Sequence, residues 1–202
     1  THKWFGKGKD PDEKYTHRGV GALVRHDIAK HTQVLEKYSN DDVLWLQIHL
    51  NNCIYFFAII YAQPKNNNKL EEILDNLLKA QLILKNAGEI VLLGDLNCRL
   101  GDLTRDHSYD KTRGSLMKNF LKLTKYSIVK ADQQDDRHWT CYKFLNNYQT
   151  GRSVNDIVIR NEWSNNKITQ YLVHPTISIG SDHRLITFTI EEPIKQDKEN
   201  WS

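Results

Sequence analysis

Cysteine is scarce in this 202-residue chain, which contains only Cys53, Cys98 and Cys141. An odd number of cysteines without a CxxC spacing does not match a disulfide framework or a zinc site. We therefore interpret all three as free thiols in a reducing compartment. For Cys98, a role as a small neutral filler explains the residue better than a role as a catalytic thiol.

Long hydrophobic runs are missing as well, since no apolar segment approaches the roughly 18 residues of a membrane-spanning helix. The longest run, CIYFFAIIYA, is typical of a strand buried on both faces. Hydrophobic residues make up 39% and charged residues 26% of the chain, which indicates a globular domain. The formal net charge of +3 is too small to argue for a nucleic-acid partner by itself.

The hydrophobic patterns predict many strands. The segments VLWLQIHL and CIYFFAIIY, joined by Asn51–Asn52, predict an antiparallel hairpin. Further strands are predicted at EIVLLGD, SIVKA, HWTCYKF, SVNDIVIR, ITQYLVH and RLITFTI. Strands interrupted by only two helices indicate packed sheets with helices outside, an α/β fold class.

Two helices are predicted between the strands. The first follows Pro64, with Asn68 and Glu71 as a capping box and Gly88 as the C-cap. The second begins at about Ser115, and its predicted inner face consists of Leu116, Phe120 and Leu123.

Three polar clusters interrupt strands that are otherwise suited to burial. Asp95 and Asn97 lie in GDLN, Asp156 lies in SVNDIVI, and Asp182 and His183 lie in GSDHRLI. A buried carboxylate is usually paired, hydrogen-bonded or bound to metal, because burial without a partner costs several kcal/mol. Each cluster alone is explained by a turn or by polar surface. Together they supply what metal-assisted hydrolysis of a phosphate ester needs.

The segments GVGALV, IIYAQP, GDLNCRLGD, SVNDIVI and GSDHRLITFTI resemble, in the same order, the motifs of the endonuclease/exonuclease/phosphatase superfamily, which includes the DNase I-like nucleases. The resemblance implies a four-layer α/β sandwich, in which two mainly antiparallel sheets pack face to face between helices. It also implies that residues 1–190 form the domain and that residues 191–202 form a polar tail or linker.

The resemblance assigns roles in contacting the phosphate and activating water to the second and third motifs, IIYAQP and GDLNCRLGD. Tyr61 matches an active-site tyrosine that contacts the scissile phosphate, although an ordinary aromatic residue at a strand end remains an alternative. Asp95 is implied to position or activate the nucleophilic water, with Asn97 beside it.

The last two motifs supply the remaining roles. Asp156 matches the residue that pairs with the catalytic histidine, His183, which would stabilise the phosphate. Asp182 is implied to be a ligand of Mg²⁺ or Mn²⁺. Arg99 and Arg113 neighbour the GDLN loop, so we expect them to be substrate-binding residues.

The chain departs from the superfamily pattern at its beginning. The superfamily carries an Asn and a metal-binding Glu upstream of GVGALV, and nothing before Gly19 matches them. Glu13 follows no apolar strand and is rejected as that Glu. We therefore expect an N-terminally truncated domain whose Glu would precede Thr1, or a protein that has lost its principal metal ligand.

Within the superfamily, HKWFGKGKD and RGSLMKNFL resemble the endonuclease domains of non-LTR retrotransposons. This resemblance implies a monomeric DNA-nicking enzyme in the nucleus or cytoplasm, with DNA as partner, no membrane contact and a reverse transcriptase domain on the same polypeptide. Two alternatives remain open: a catalytically impaired remnant or scaffold, and a phosphatase or lipid phosphodiesterase of the same superfamily.

Overall fold

The computed structural model describes residues 1–8, 19–51, 53–132, 136–145, 148–162, 167–174 and 180–191. Short 3-10 helices lie at Gly101–Leu103 and Asp136–His138. The strands and α-helices are, in chain order, β1 (His2–Gly8), β2 (Gly19–Arg25), α1 (His26–Ala29), β3 (Thr32–Val34), β4 (Val43–Leu50), β5 (Cys53–Tyr61), α2 (Asn67–Leu84), β6 (Glu89–Asp95), α3 (Lys111–Thr124), β7 (Tyr126–Val129), β8 (Cys141–Leu145), β9 (Tyr148–Ser153), β10 (Asp156–Asn161), β11 (Lys167–His174) and β12 (Leu185–Glu191).

A six-stranded sheet with the order β3-β4-β5-β6-β10-β7 forms the centre of the molecule. Strands β5 and β6 are parallel, and α2 forms the crossover connection that such a pair requires. The other neighbours in this sheet are antiparallel. The predicted hairpin is confirmed as β4–β5, with Leu50 opposite Cys53 and Asn51 in the left-handed conformation at φ 47°. Asn52 lies outside the described residues.

The central sheet is buried on both faces. Helices α2 and α3 cover one face, where their apolar side chains pack on β4, β5, β6 and β10 around a core that includes Trp45, Phe56, Leu70, Ile73, Leu77, Leu92, Met117 and Phe120. The hairpins β1–β2 and β11–β12 cover the opposite face. Full burial of each large apolar side chain contributes about 1.5–3 kcal/mol. The predicted α/β sandwich class is therefore confirmed.

Both helix boundaries differ from the sequence prediction. The N-cap of α2 is Asn66, whose side chain accepts from the backbone N–H of Lys69, so the predicted capping box is wrong. Gly88 is not the C-cap, which is Lys85. A glycine is needed at position 88 because a Cβ there would lie 2.2 Å from the carbonyl oxygen of Ile54.

Helix α3 begins four residues earlier than predicted, at Lys111, because Asp110 caps it by accepting from two backbone N–H groups. Its inner face contains Met117 and Phe120. Leu123, predicted to face inward, is 71% exposed.

The two ends of the described chain contain features that the hydrophobic pattern missed or left open. Strand β1 pairs with β2 but contributes only Phe5 to the core, so its alternation was too weak to detect. Glu13 lies outside the described residues. Glu191, placed in the expected tail, is the last residue of β12, and residues 192–202 also lie outside the described part. No helix among the described residues is long and apolar enough to cross a membrane.

Candidate active site

Three of the residues singled out from the sequence lie side by side across the central sheet. Tyr61 ends β5 and pairs in register with Asp95, which ends β6. Asp95 pairs in turn with Asp156, the first residue of β10. Directly paired residues project to the same face of a sheet. The side chains of Tyr61, Asp95 and Asp156 therefore share the face that packs against the two hairpins.

The GDLN segment folds back on itself so that Asn97 holds the carboxylate of Asp95. The backbone N–H of Asn97 donates to Asp95 Oδ1 at 2.8 Å, and its side-chain amide donates to Oδ2 at 2.8 Å and to the carbonyl oxygen of Ala62 at 3.1 Å. Asn97 has φ 44°, a left-handed conformation that asparagine tolerates. Gly94 permits the turn, since at φ 137° its missing Cβ would lie 2.0 Å from the carbonyl oxygen of Ile60.

His183 and Asp156 form the second half of the site. His183 Nδ1 lies 2.8 Å from Asp156 Oδ2, and both side chains are partly buried. The hydroxyl of Ser181 accepts from the backbone N–H of His183 at 3.0 Å and fixes the turn that presents the ring. With Nδ1 engaged by Asp156, Nε2 is the second donor of the protonated ring.

Thr140 joins the two segments that carry this pair, and the sequence analysis missed it. It is fully buried, and its hydroxyl accepts from the backbone N–H groups of Asn155 and Asp156, each at 3.1 Å. Its carbonyl accepts from the backbone N–H of Arg184 at 2.8 Å. A lone threonine within an apolar segment, HWTCYKF, was the only signal that could have revealed this role.

The pKa values of Asp95 and His183 are both raised, for different reasons. Burial, followed by repulsion from Asp156, raises the pKa of Asp95 to about 6. The hydrogen bond with Asp156, followed by one with Cys141, raises the pKa of His183 well above its ordinary value near 6.5. At neutral pH, Asp95 is thus ionised but still basic enough to accept a proton, and His183 is protonated.

The carboxylates surround His183 and lie close enough to hold a cation. One possible ligand atom from each of Asp95, Asp156 and His183 lies within 4.8 Å of the others. The same holds for Asp182, His183 and Cys141, although Asp182 is exposed and Cys141 is buried. Asp182, the expected metal ligand, therefore adjoins the site through His183.

The donor chemistry of these clusters fits a hard divalent cation. Mg²⁺ and Mn²⁺ prefer carboxylate oxygens, and such oxygens outnumber the soft thiolate donors that other metals select. The ligand expected from the sequence, Asp182, belongs to one of the two groups, and Asp95 and Asp156 belong to the other. Neither cluster found among the described residues contains a glutamate.

Arg113, expected to bind substrate, borders a cavity beside Asn97, but its guanidinium is held by backbone carbonyl groups. It is 3% exposed, and its guanidinium donates to the carbonyl oxygens of Leu96 and Asn97 at 2.9 and 3.0 Å and to that of Asn66 at 3.1 Å. Through these three contacts, Arg113 links the Asp95–Asn97 turn to the start of α2. Only arginine offers several N–H donors in one rigid planar group.

Arg99 borders the same cavity, and its side chain is 37% exposed. Its guanidinium pairs with the buried carboxylate of Asp106, with a shortest distance of 2.7 Å, and donates to the carbonyl oxygen of Arg152 at 2.8 Å. Asp106 accepts from the backbone N–H of Val154 at 3.0 Å. This chain of contacts links the GDLN loop to the segment that precedes Asp156, and no local sequence pattern marks Asp106 for this role.

A cavity of about 480 Å³ opens beside Asn97. Side chains from five segments line it, and the cationic ones are Lys65, Arg99, Arg113, Lys143 and Arg152. Cys98 does not take part, because it is 1% exposed and burial raises the pKa of its thiol to about 12. The prediction of free thiols is confirmed for all three cysteines, and the filler role fits the buried position of Cys98.

No protein-family model matches the chain, and no curated protein matches it in sequence. The similarity of this chain to known proteins is therefore found by comparing three-dimensional structures.

Solved structures with the same fold resemble the chain over almost its whole length. The endonuclease domain of TRAS1, a telomere-specific non-LTR retrotransposon, matches with a TM-score of 0.75 and 16% identity, covering 94% of this chain and 80% of that one. An endonuclease/exonuclease/phosphatase family protein from Leptotrichia buccalis matches with a TM-score of 0.63 and 19% identity, covering 95% and 71%. Danio rerio TDP2, complexed with a single-strand DNA product, matches with a TM-score of 0.61 and 15% identity, covering 93% and 77%. The chain has the fold of the endonuclease/exonuclease/phosphatase proteins, as its motifs predicted.

Proposed function

We propose that this chain is a divalent-metal-dependent phosphodiesterase that nicks DNA. The observation that carries the proposal is the meeting of two polar pairs, Asp95 with Asn97 and Asp156 with His183, at the ends of adjacent strands. One pair offers a base with a pKa of about 6 and the other offers an imidazolium. In-line displacement at phosphorus needs both an acceptor for the proton of water and a donor to the oxygens that gain charge.

Asp95 is the proton acceptor in this proposal. Its carboxylate takes a proton from the attacking water, and the two N–H donors of Asn97 keep its oxygens oriented. His183 donates from Nε2 to a non-bridging phosphate oxygen, while Asp156 fixes the tautomer and stabilises the charged ring. Tyr61, paired with Asp95 in the sheet, contacts the phosphate from the neighbouring strand.

A metal ion supplies the remaining electrostatic stabilisation in this proposal. Mg²⁺ or Mn²⁺, bound by Asp182 beside His183, would polarise the phosphate as a Lewis acid. Removing the metal with a chelator is expected to abolish turnover while leaving the fold intact.

Plasmid nicking tests the proposal. We expect the protein to convert supercoiled plasmid to open circles in Mg²⁺ or Mn²⁺, and we expect Asp95→Asn or His183→Ala to reduce the rate at least about 100-fold. Asp102→Asn and His26→Ala are matched controls, since both residues are exposed and outside the cluster. An intact plasmid across a range of divalent metals would overturn the proposal.

Two other functions on this fold predict different results in the same assay. The absence of a glutamate from the described clusters favours a second candidate, a protein that binds nucleic acid without turnover. That candidate predicts DNA binding with no nicking in any metal. A phosphatase or lipid phosphodiesterase predicts release of phosphate from inositol phosphates, or cleavage of sphingomyelin, in preference to DNA.

A further inference from the structure

A second concave surface lies along α3, away from the candidate active site. It encloses about 470 Å³ between the C-terminal half of α3 and β7, the edge strand of the central sheet. Its lining includes the apolar side chains Leu103, Leu121, Tyr126 and Ile128, surrounded by Lys118, Lys122, Lys125 and Lys130. The only acidic lining residue is Glu162. We call this surface the lysine groove.

The lysines of the groove are exposed and available for binding. Within the described parts of the chain, Lys122, Lys125 and Lys130 form no ion pair. Lys118 lies 4.2 Å above the centre of the Tyr109 ring, which is 38% exposed. Four cations around an apolar floor repel one another unless an anion lies between them.

A row of lysines along α3 leads from the candidate active site to the lysine groove. Lys111 begins α3, next to Asp110 and Thr112, which line the cavity beside Asn97. With about 100° of rotation per residue, Lys111, Lys118 and Lys122 fall on one strip of the helix surface, and Lys125 follows as the C-cap. This strip extends for about 21 Å, the length of about six stacked nucleotides.

We propose that the lysine groove binds a single-stranded segment of nucleic acid that continues from the candidate active site. This inference rests on the proposed function, since it extends the same substrate along α3. The lysines would contact successive phosphates, and Tyr109 and the apolar floor would contact bases. An unpaired strand exposes those bases, whereas a duplex keeps them stacked inside, so the apolar floor favours the single strand.

Binding of oligothymidines in EDTA, where no cleavage occurs, tests the groove. The variant replaces Lys118, Lys122, Lys125 and Lys130 with Gln. The matched control replaces four exposed lysines elsewhere with the same loss of charge, namely Lys30, Lys37, Lys79 and Lys85. Fluorescence anisotropy compares a 20-nucleotide strand, which can reach the groove from the site, with a 4-nucleotide strand, which is shorter than the strip.

We expect the groove variant to bind the long strand at least about tenfold more weakly at about 0.1 M salt. The slope of log affinity against log salt should decrease by about 0.7 for each lysine that contacts a phosphate. The short strand should lose less than about threefold, and the control variant should bind both strands with nearly the affinity of the wild type. Equal losses in the two variants, or no loss in the groove variant, would overturn the inference.

Competitors distinguish the ligand classes. A duplex or poly-glutamate that displaces the long strand as well as unlabelled single strand does would overturn the assignment to single-stranded nucleic acid. Failure of the proposed function is visible separately, because it appears as absent nicking in metal while groove-dependent binding in EDTA persists. A 4-thiothymidine strand gives direct placement, since the inference predicts photo-cross-links within residues 109–130 and is contradicted by cross-links that avoid them.

Discussion

The Nδ1 atom of His183 lies 2.8 Å from Oδ2 of Asp156, although 27 positions separate the two residues in the chain. The pairing depends on β10, which places Asp156 beside Asp95, and on Thr140, which fastens β10 to the loop of His183. Two elements distant in sequence thus produce one charged imidazole next to one basic carboxylate. That arrangement is the chemical core of the proposed activity.

Asp156→Asn should lower the pKa of His183 towards 6.5, because the anion that stabilises the imidazolium is lost. Since the folded-state pKa is raised, the pair stabilises the native state fully below about pH 6.5, and this contribution disappears as pH rises through the raised pKa. Nitrogen-15 NMR of the ring measures the titration directly. An unchanged His183 titration in the variant would show that Asp156 does not control the ring.

The pH dependence of nicking should reflect Asp95. Burial raises its pKa to about 6, so the carboxylate becomes protonated as pH falls through that value and can no longer accept a proton. The rate should therefore rise with pH through about 6 and then level off. Asp102→Asn should leave this profile in place, and a profile that is flat between pH 5 and 7 would contradict the role of Asp95.

Thr140→Val should destabilise the fold by about 1–3 kcal/mol, since two buried backbone N–H groups lose their acceptor. Thr140→Ser, which keeps the hydroxyl, serves as the control. Urea unfolding gives the free energies. Beyond stability, the valine variant should broaden or shift the His183 ring signals while the serine variant preserves them, and identical signals in both variants would leave Thr140 without a positioning role.

Arg113→Lys should cost on the order of 3 kcal/mol of stability, because one ammonium group cannot reproduce the three contacts of the buried guanidinium. Arg25→Lys, at an exposed site, is expected to change the free energy of unfolding by less than about 0.5 kcal/mol. If Arg113 also holds the Asp95–Asn97 turn, nicking by the lysine variant should decrease in kcat at temperatures where the protein remains folded. If Arg113→Lys were as stable as the wild type, the contacts described for Arg113 would be contradicted.

The α/β class and the β4–β5 hairpin could be predicted because hydrophobic alternation and turn residues are local signals. The grouping of Asp95, Asp156 and His183 could be expected because their motifs occur in the order of the superfamily pattern. The boundaries of α2 and α3 were harder to predict from the sequence. Asn66 and Asp110 cap α2 and α3 through side-chain hydrogen bonds, and several nearby polar residues offered equally plausible caps.

The functions of the arginines could not be predicted from the sequence. Arg99 and Arg113 lie beside the GDLN motif, and only the coordinates show that their guanidinium groups bind Asp106 and backbone carbonyls. Thr140 was equally hidden, because its importance comes from two N–H groups that lie 15 and 16 positions further along the chain. Contacts of this kind depend on how strands are paired, and no local pattern encodes them.

The central claim is that Asp95 and His183 act together on one phosphodiester. Nicking rates of Asp95→Asn, His183→Ala and the double variant test it most directly, since residues that act as a unit have strongly non-additive effects on rate. We expect the double variant to be about as slow as the slower single variant. A double variant whose loss of rate equals the product of the two single losses would contradict the joint action of Asp95 and His183.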